Sequence, residues 1–324
     1  MKIAILDDYQ NAVKELDCYA LLAEFDTTIY TDTPGSLDEL VNRLSDKEAL
    51  VLIRERTEIS PQLLARLPNL KLISQTGKIS NHINLQACNE HRVAIAEGVG
   101  SPIAPSELCW SLILASSRHI VPYVDNFRQG AWQSSGSLGL GRALNNLTIG
   151  IWGYGKIGQR IAQYAKVFGM KVMIWGSQAS RDRALADGFE AAHSKQAFFA
   201  QSDVLSLHLR LSPETRACVT YDDLQLMKKD ALIVNTSRAQ LIETSALIRS
   251  LKTGRPGFAA LDVYDSEPTT IEQEPLLAMP NVLCAPHLGY VEKNNYELYF
   301  KIAFENVVNY FHGEPRNIAN PEVL

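Results

Sequence analysis

Short runs of β-branched and apolar residues alternate along the chain with longer segments whose apolar residues recur at helical spacing. This alternation is typical of βαβ units, in which crossover helices join parallel strands. The first block has strand candidates at Lys2–Leu6, Thr27–Thr31, Leu50–Ile53, Leu70–Gln75 and Arg92–Ala96. The second block has candidates at Leu147–Trp152, Lys171–Trp175, Val204–Leu209, Ala231–Thr236, Phe258–Val263 and Val282–Ala285. The pattern therefore predicts an α/β protein with two doubly wound parallel sheets.

The segments between and after the blocks predict how the two domains are connected. A helix at Pro105–Ile120 and a polar, Gly-rich arm at Arg128–Gly141 link the blocks, and the arm has the composition of a domain junction. A second helix, Val291–Phe311, follows the last strand and is expected to return the chain to the first domain. We assign residues 1–102 and 290–324 to this discontinuous first domain and residues 103–289 to an inserted second domain.

Composition excludes several classes of protein. The chain has 324 residues, 46% of them hydrophobic, a formal net charge of −5 and no apolar run long enough to cross a bilayer. The acidic balance argues against a nucleic-acid partner, and the five scattered cysteines have neither metal-site nor disulfide spacing. We therefore expect a protein that acts on a small molecule and holds no metal. Because the N-terminus MKIAILDDYQ lacks the features of a signal peptide, we also expect it to be cytoplasmic.

A glycine motif, GYGKIG at residues 153–158, follows one predicted strand and opens a predicted helix. In this position Gly153 permits a tight turn, Gly155 allows close approach of a pyrophosphate, and Gly158 lets the helix pack against the strand. The motif predicts a Rossmann domain that binds a dinucleotide. The alternative is a tight turn of a flavodoxin-like domain that binds no nucleotide.

The end of the next strand bears on the choice of cofactor. A site for NAD usually places a carboxylate there to bind the ribose hydroxyls, but this sequence has Trp175-Gly176-Ser177. Ser177 could bind a 2′-phosphate, and Arg181 or Arg183 could neutralise it. The pattern favours NADP(H), unless these arginines only solvate a helix face.

Polar residues come after three other predicted strands. Arg238 lies in NTSRA, Glu267 in DVYDSEP and His287 in APHLG, all beyond the carboxyl ends where open α/β sheets bind ligands. Reduction of a carbonyl by a nicotinamide needs a proton donor, which His287 could supply, with Glu267 orienting the ring and raising its pKa. Arg238 could bind a substrate carboxylate. Taken singly, the three could instead be a partner of Glu243, a loop acid and a core histidine.

A further histidine, His208, is predicted inside the strand Val204–Leu209, where it could line the cofactor.

These motifs resemble the D-isomer-specific 2-hydroxyacid dehydrogenases, which include glyoxylate/hydroxypyruvate reductases and phosphoglycerate dehydrogenases. The similarity covers nearly the whole chain and is most specific in GYGKIGQRIAQYAKVFGMKV, SDVLSLHLRLSPETR, LMKKDALIVNTSRAQLIE, AALDVYDSEP and NVLCAPHLG. It implies a flavodoxin-like substrate domain and a Rossmann cofactor domain. It also implies that Arg238, Glu267 and His287 are catalytic.

The resemblance implies further site residues. Cofactor contacts fall on Gly155, Lys156, Ile157, Ser177, Thr236, Ser237 and Asp262, the last facing the nicotinamide carboxamide. Thr76-Gly77-Lys78-Ile79 is similar to the family loop whose backbone amides bind the substrate carboxylate, so Gly77, Lys78 and Ile79, together with Arg54, are the implied substrate-binding residues. The family further implies a homodimer.

The sequence departs from the family pattern at three places. Ala239 replaces the usual glycine after Arg238, which is tolerable unless the backbone there needs positive φ. Gly176-Ser177 replaces the ribose-binding aspartate, and the substrate loop reads GKISNHIN rather than the usual glycine-rich run.

From the motifs and the resemblance together, we expect an NAD(P)-dependent oxidoreductase that interconverts a 2-oxo acid, such as glyoxylate or hydroxypyruvate, and its D-2-hydroxy acid. The alternatives are a dinucleotide-sensing, corepressor-like binding module and a formate dehydrogenase, whose reaction needs no acid–base histidine.

Overall fold

The computed structural model describes residues 1–324, which form two compact units. The first unit comprises Met1–Ser101 and Glu292–Leu324, and the second comprises Pro102–Val291. Each unit contains one sheet in which all strands are parallel, with five strands in the first and seven in the second. The predicted fold class, with one doubly wound domain inserted into another, is confirmed.

The twelve strands are three-to-five-residue segments apart from one shorter strand. Several, such as Ala49–Leu52 and Val204–Leu207, are buried along their whole length, because a parallel sheet is covered on both faces. In chain order they are β1 Lys2–Ile5, β2 Asp26–Ile29, β3 Ala49–Leu52, β4 Leu72–Gln75, β5 Ala94–Ala96, β6 Thr148–Trp152, β7 Lys171–Trp175, β8 Glu190–Ala191, β9 Val204–Leu207, β10 Leu232–Asn235, β11 Phe258–Leu261 and β12 Val282–Cys284.

Helices connect the strands, and many begin at a residue whose side chain accepts a hydrogen bond from the first turn. Ser36, Ser60 and Ser194 each cap a helix in this way. The α-helices are α1 Leu37–Leu44, α2 Pro61–Leu64, α3 Leu85–Glu90, α4 Ile103–Ser117, α5 Ile120–Arg128, α6 Lys156–Val167, α7 Gln178–Ala186, α8 Lys195–Gln201, α9 Tyr221–Gln225, α10 Ala246–Thr253 and α11 Lys293–Phe311.

The first unit has the strand order β2-β1-β3-β4-β5 and is completed by the C-terminal part of the chain. Helix α11 packs against this sheet, where the Ser74 hydroxyl donates to the Ala303 carbonyl at 2.8 Å. Farther on, the fully buried Asn320 accepts a hydrogen bond from the Ile95 amide at 2.7 Å and donates to the Val93 carbonyl at 2.9 Å. The return of the chain is therefore part of the core of this unit.

The second unit has the strand order β12-β11-β10-β9-β6-β7-β8. From β6 the chain runs outward to β7 and β8, then crosses back to β9 and continues in the opposite direction to β12. The point where the order reverses lies between β6 and β9, and ligands of open α/β sheets bind at such a point. Strands β6, β9 and β10 end at cross-strand partners, namely Trp152, Leu207 and Asn235. The loops after these three strands therefore begin at one edge of the sheet.

Four details differ from the sequence prediction. The strand β8 was not predicted, because two residues are too few to show a periodicity. The predicted helix Pro105–Ile120 corresponds to α4, which ends at Ser117, and an unpredicted helix, α5, follows His119, whose backbone is left-handed with φ of 51°. The arm Arg128–Gly141 lies inside the second unit and is not a junction. Strand β9 ends at Leu207, so His208 comes after the strand instead of lying within it.

No helix has both the length and the apolar character needed to span a bilayer. All five cysteines are thiols without a disulfide.

We predict that Asn320→Ala destabilises the protein by about 2–4 kcal/mol, because it removes buried hydrogen bonds and leaves the Ile95 amide without its acceptor. The free energy of unfolding in urea measures this. The matched control is Asn69→Ala, since Asn69 is exposed and donates only to the Ser45 carbonyl, and it should cost less than about 1 kcal/mol. Equal losses in the two variants would contradict a structural role for the C-terminal tail.

Candidate active site

The glycine loop between β6 and α6 has the close contacts that its sequence predicts. Gly153 has φ of 99°, and a Cβ there would lie 2.5 Å from the His208 carbonyl oxygen. A Cβ on Gly158 would lie 2.1 Å from the Gly153 carbonyl oxygen, whereas one on Gly155 would meet no atom within 4 Å. The first and third glycines therefore permit tight packing, and the second leaves open space in front of the helix.

The amino end of α6 is suited to an anion. Gly155 is the residue that precedes the helix, and no side chain caps the first turn, which begins with Lys156 and Ile157. The first amides of a helix point outward and carry partial positive charge, so they can donate to phosphate oxygens. This loop fits the pyrophosphate of a dinucleotide.

The end of β7 carries no carboxylate. The exposed Ser177 caps α7, its hydroxyl accepting from the Ser180 amide at 3.3 Å. The guanidinium carbon of Arg181 lies 4.9 Å from the centre of the Trp175 ring, and Arg181 donates to Gln178 at 2.8 Å. Arg181 is thereby held over the last residue of β7, while Arg183 is exposed.

The strand ends beyond β11 and β12 bring Glu267 and His287 together. The Oε2 atom of Glu267 lies 2.5 Å from Nδ1 of His287, and both side chains remain partly accessible, at 18% and 24%. Twenty residues separate them in sequence, and they meet because β11 and β12 are adjacent parallel strands. A carboxylate bonded to Nδ1 fixes the orientation of the ring and stabilises its protonated form.

The backbone that carries His287 is in the left-handed region, with φ of 54°. Both carboxylate oxygens of the buried Asp262 accept hydrogen bonds from the two residues after His287, from the Leu288 amide at 2.6 Å and the Gly289 amide at 2.9 Å. Asp262 therefore holds this turn. The family resemblance implied only that Asp262 would face the cofactor.

Arg238 follows β10 in a short segment with many internal hydrogen bonds. Its carbonyl accepts from the Asn235 side chain at 2.8 Å, and one of its guanidinium nitrogens, Nη1, donates to the Ser237 carbonyl at 2.6 Å. The Ser237 hydroxyl donates to the Leu207 carbonyl at 2.7 Å, which ties the segment, including Thr236, to the end of β9. Ala239 does not take positive φ, so the replacement of glycine there causes no strain.

His208 follows β9, beside the glycine loop. Its Nε2 atom lies 2.8 Å from the Ser206 hydroxyl, and burial lowers the pKa of His208 to about 4. The ring is therefore neutral near neutral pH, unlike a group poised for acid–base chemistry. This position is compatible with lining a cofactor.

The candidate substrate loop belongs to the first unit. Arg54 has φ of 56°, and its guanidinium lies across Gly77, where a Cβ would come within 2.1 Å of Nη1. The Gly77 and Lys78 amides donate to no protein acceptor, so they are available to an anion. The Ile79 amide was expected to bind the substrate carboxylate, but it donates to Oε1 of Glu97 at 2.9 Å. Lys78 Nζ lies 2.6 Å from Oε2 of the same carboxylate.

Arg54 is held by Gln75, which the sequence analysis did not single out, and by Thr76, which it placed only in the substrate loop. Its amide donates to the Thr76 hydroxyl at 3.0 Å, and its carbonyl accepts from the Gln75 side chain at 2.6 Å. Gln75 and Thr76 are polar and almost fully buried at the end of β4. Two polar residues at the end of an otherwise apolar strand are the signal that could have identified them.

Comparison with known proteins identifies the family. Residues 110–289 match the family model described as the NAD binding domain of D-isomer specific 2-hydroxyacid dehydrogenases. A glyoxylate reductase of Aeropyrum pernix is 32% identical over 299 residues, which cover 90% of this chain and 88% of that protein. The chain belongs to the D-isomer-specific 2-hydroxyacid dehydrogenase family. It is therefore an oxidoreductase of the class that acts on CH–OH groups with a nicotinamide dinucleotide.

Two further similarities place the chain within this dehydrogenase family. A D-3-phosphoglycerate dehydrogenase of Methanocaldococcus jannaschii is 30% identical over 285 residues, which cover 87% of this chain and 53% of that longer protein. A solved structure of a phosphoglycerate oxidoreductase from Vibrio cholerae is 58% identical and has a TM-score of 0.95, covering 97% of this chain and 99% of that one.

The contacts at the glycine loop generate a prediction for cofactor affinity. Gly158→Ala places a methyl group against the Gly153 carbonyl, so the loop must move and the Kd for NADH should rise about tenfold or more. Protein fluorescence quenching measures this. Gly35→Ala is the control, because its Cβ would lie 3.4 Å from Glu39, an ordinary contact. Unchanged NADH affinity in Gly158→Ala would show that the loop does not hold the dinucleotide.

Proposed function

We propose that the protein interconverts a 2-oxo acid and the corresponding D-2-hydroxy acid, with Arg238, Glu267 and His287 as its catalytic residues. The observation that carries this proposal is the 2.5 Å contact between Glu267 Oε2 and His287 Nδ1. It lies at the same sheet edge as the glycine loop. An imidazole held by a carboxylate is suited to transfer a proton at neutral pH.

The nicotinamide of the cofactor supplies the hydride for reduction of the carbonyl carbon. His287 gives the proton of Nε2 to the developing alkoxide oxygen, and in the oxidative direction it takes that proton back. Glu267 stabilises the imidazolium through Nδ1, which raises the pKa of His287 and keeps the Nε2 proton on the ring until it is transferred to the alkoxide oxygen. This pairing supports a dehydrogenase over formate oxidation, in which no hydroxyl proton is transferred.

Arg238 is proposed to bind the substrate carboxylate and to polarise the carbonyl. A guanidinium presents two parallel donors to a carboxylate, and its charge stabilises negative charge that develops on the neighbouring oxygen. In the first unit we propose that Arg54 and the Gly77 and Lys78 amides bind an anionic group of a substrate. Ile79 is proposed to contribute side-chain contacts only, since its amide is bonded to Glu97.

The substrate class rests on what the relatives share. Their names refer to glyoxylate, hydroxypyruvate and 3-phosphoglycerate, which all carry a carboxylate next to the carbon that is reduced or oxidised. The proposed contact with Arg238 requires that carboxylate and does not depend on the other groups of the substrate. We therefore propose a small 2-oxo acid of this class.

NADP(H) is proposed as the preferred cofactor. The end of β7 offers the Ser177 hydroxyl and the Arg181 guanidinium where a carboxylate would repel a 2′-phosphate. Arg181 is already ordered over Trp175, which lowers the entropy that a phosphate contact would cost. Arg183 is proposed as an auxiliary cation.

A homodimer is proposed from the surface of α5 and the arm after it. Val121, Phe127, Trp132 and Leu140 are all exposed, and Phe127 packs edge-on against Trp132 with ring centres 5.5 Å apart. Trp132 is 74% exposed in the single chain. Several large apolar side chains exposed on adjoining segments are typical of a subunit interface.

We predict that His287→Ala lowers kcat for 2-oxo acid reduction by about 10²–10⁴-fold, the usual contribution of a positioned acid–base group. The Kd for the reduced cofactor should stay within about twofold, because the substitution leaves the glycine loop intact. Steady-state kinetics with a panel of 2-oxo acids and a separate binding titration measure the two effects. A His287→Ala enzyme with the turnover of the unmodified protein would remove His287 from the mechanism.

For the cofactor preference we predict that Ser177→Asp raises the Kd for NADPH about tenfold or more, because the new carboxylate faces the 2′-phosphate. The Kd for NADH should be unchanged or lower, since the carboxylate can bind the ribose hydroxyls. Ser177→Asn is the uncharged control. An unaltered ratio of the two dissociation constants would show that Ser177 does not face the adenosine ribose.

A further inference from the structure

Tyr264 bonds to both loops that carry the Glu267–His287 pair. It lies between β11 and Glu267, and its side chain is buried. Its backbone amide donates to Oε1 of Glu267 at 2.9 Å, and its hydroxyl donates to the Ala285 carbonyl at 2.8 Å, two residues before His287. One residue thus binds the carboxylate directly and the histidine loop through its side chain.

The Ala285 carbonyl is the first fixed point of the turn that carries His287. It accepts the Tyr264 hydroxyl and also the His287 amide, which lies 3.0 Å away across Pro286. After His287, whose φ is 54°, the Leu288 and Gly289 amides are held by Asp262. Left-handed backbone is unfavourable for a residue with a side chain, so it persists only where neighbouring contacts fix it. The turn is fixed on both sides of His287.

We propose that Tyr264 is a positioning residue that sets the distance between Glu267 and His287 through its hydroxyl. The inference rests on the proposed function, in which that pair transfers the proton. Glu267 and His287 stand on separate loops, so the length of the Nδ1–Oε2 bond depends on where each loop is held. The Tyr264 amide fixes one oxygen of the carboxylate, and the hydroxyl fixes the start of the histidine turn.

The chemical state of Tyr264 suits this role. Burial raises the pKa of Tyr264 well above its usual range, with smaller contributions from the neighbouring Cys284, Asp262 and Glu267, so the hydroxyl stays protonated and donates. The ionisable groups that contact His287 or the turn that carries it include Glu267, Asp262, Tyr264 and Tyr290, and Cys284 lies beside Tyr264. Removing the tyrosine hydroxyl changes the charge of none of them.

Tyr264→Phe tests the proposal, because it removes only the hydroxyl and keeps the buried ring. If the turn relaxes, the imidazolium loses part of its bond to Glu267, and the pKa of His287 falls. Reduction needs protonated His287, so the alkaline limb of the kcat/KM profile should move to lower pH by on the order of half a pH unit. The value of kcat at neutral pH should fall by about three- to tenfold.

A second measurement does not depend on turnover. Selective ¹⁵N labelling of the seven histidines allows an NMR titration of His287, with its resonances assigned from His287→Gln. In Tyr264→Phe the midpoint for His287 should fall in step with the kinetic limb. A lower NMR midpoint in a protein that reduces no 2-oxo acid would support the positioning role and contradict the proposed function.

Tyr30→Phe is the matched control, since Tyr30 also donates its hydroxyl to a backbone carbonyl, that of Arg43 at 3.0 Å, within the first unit. It should lower the melting temperature to a similar extent and leave both the pH profile and the His287 titration unchanged. If Tyr264→Phe behaves like this control, losing stability without any change in the His287 midpoint, the residue is structural only and the proposal is overturned.

Discussion

Hydrogen bonding between parallel strands in register is the constraint on which the site depends. In the second unit the last residues of six neighbouring strands form one continuous row of cross-strand partners, namely Trp175, Trp152, Leu207, Asn235, Leu261 and Cys284. Because every strand points the same way, the loop after each strand begins at the same edge. A slip of one residue in any pair would turn the next loop toward the other face of the sheet.

Close backbone packing at this edge of the sheet shapes the glycine loop, which can bind an anion, and the turn that carries His287, which can donate a proton. After Trp152, Gly153 and Gly158 let the loop, the strand and the helix approach within distances that a Cβ would prevent, and a Cβ on Gly155 would meet no atom within 4 Å. After Cys284, His287 is held in a left-handed turn by Asp262 and Tyr264. Preorganised groups of this kind need little rearrangement during a reaction, which is why such contacts matter for rate.

In the first unit, contacts with neighbouring side chains hold a candidate anion-binding residue, Arg54, in place. Arg54 is held by hydrogen bonds from Gln75 and to Thr76, and its guanidinium occupies the space that the missing side chain of Gly77 leaves. Tyr299 of α11 contributes its ring, whose centre lies 5.7 Å from the Arg54 guanidinium carbon. A cation fixed by its surroundings in this way loses less entropy on binding an anion than a mobile one does. The C-terminal helix therefore supports this candidate binding residue as well as the core.

The sequence by itself determined the fold class, the number of sheets and the strand ends that carry polar residues, because these depend on local periodicity and on the glycine spacing at 153–158. It could not show β8, the left-handed break at His119 or the end of β9 before His208, since each depends on only one or two residues in a tertiary setting. The sequence indicated that Glu267 would orient His287, but the 2.5 Å distance between them, the use of the Ile79 amide by Glu97 and the two contacts of Tyr264 depend on tertiary structure. A sequence pattern records which residues come after each strand, whereas the partners of a side chain depend on distances between segments that only the assembled sheet fixes.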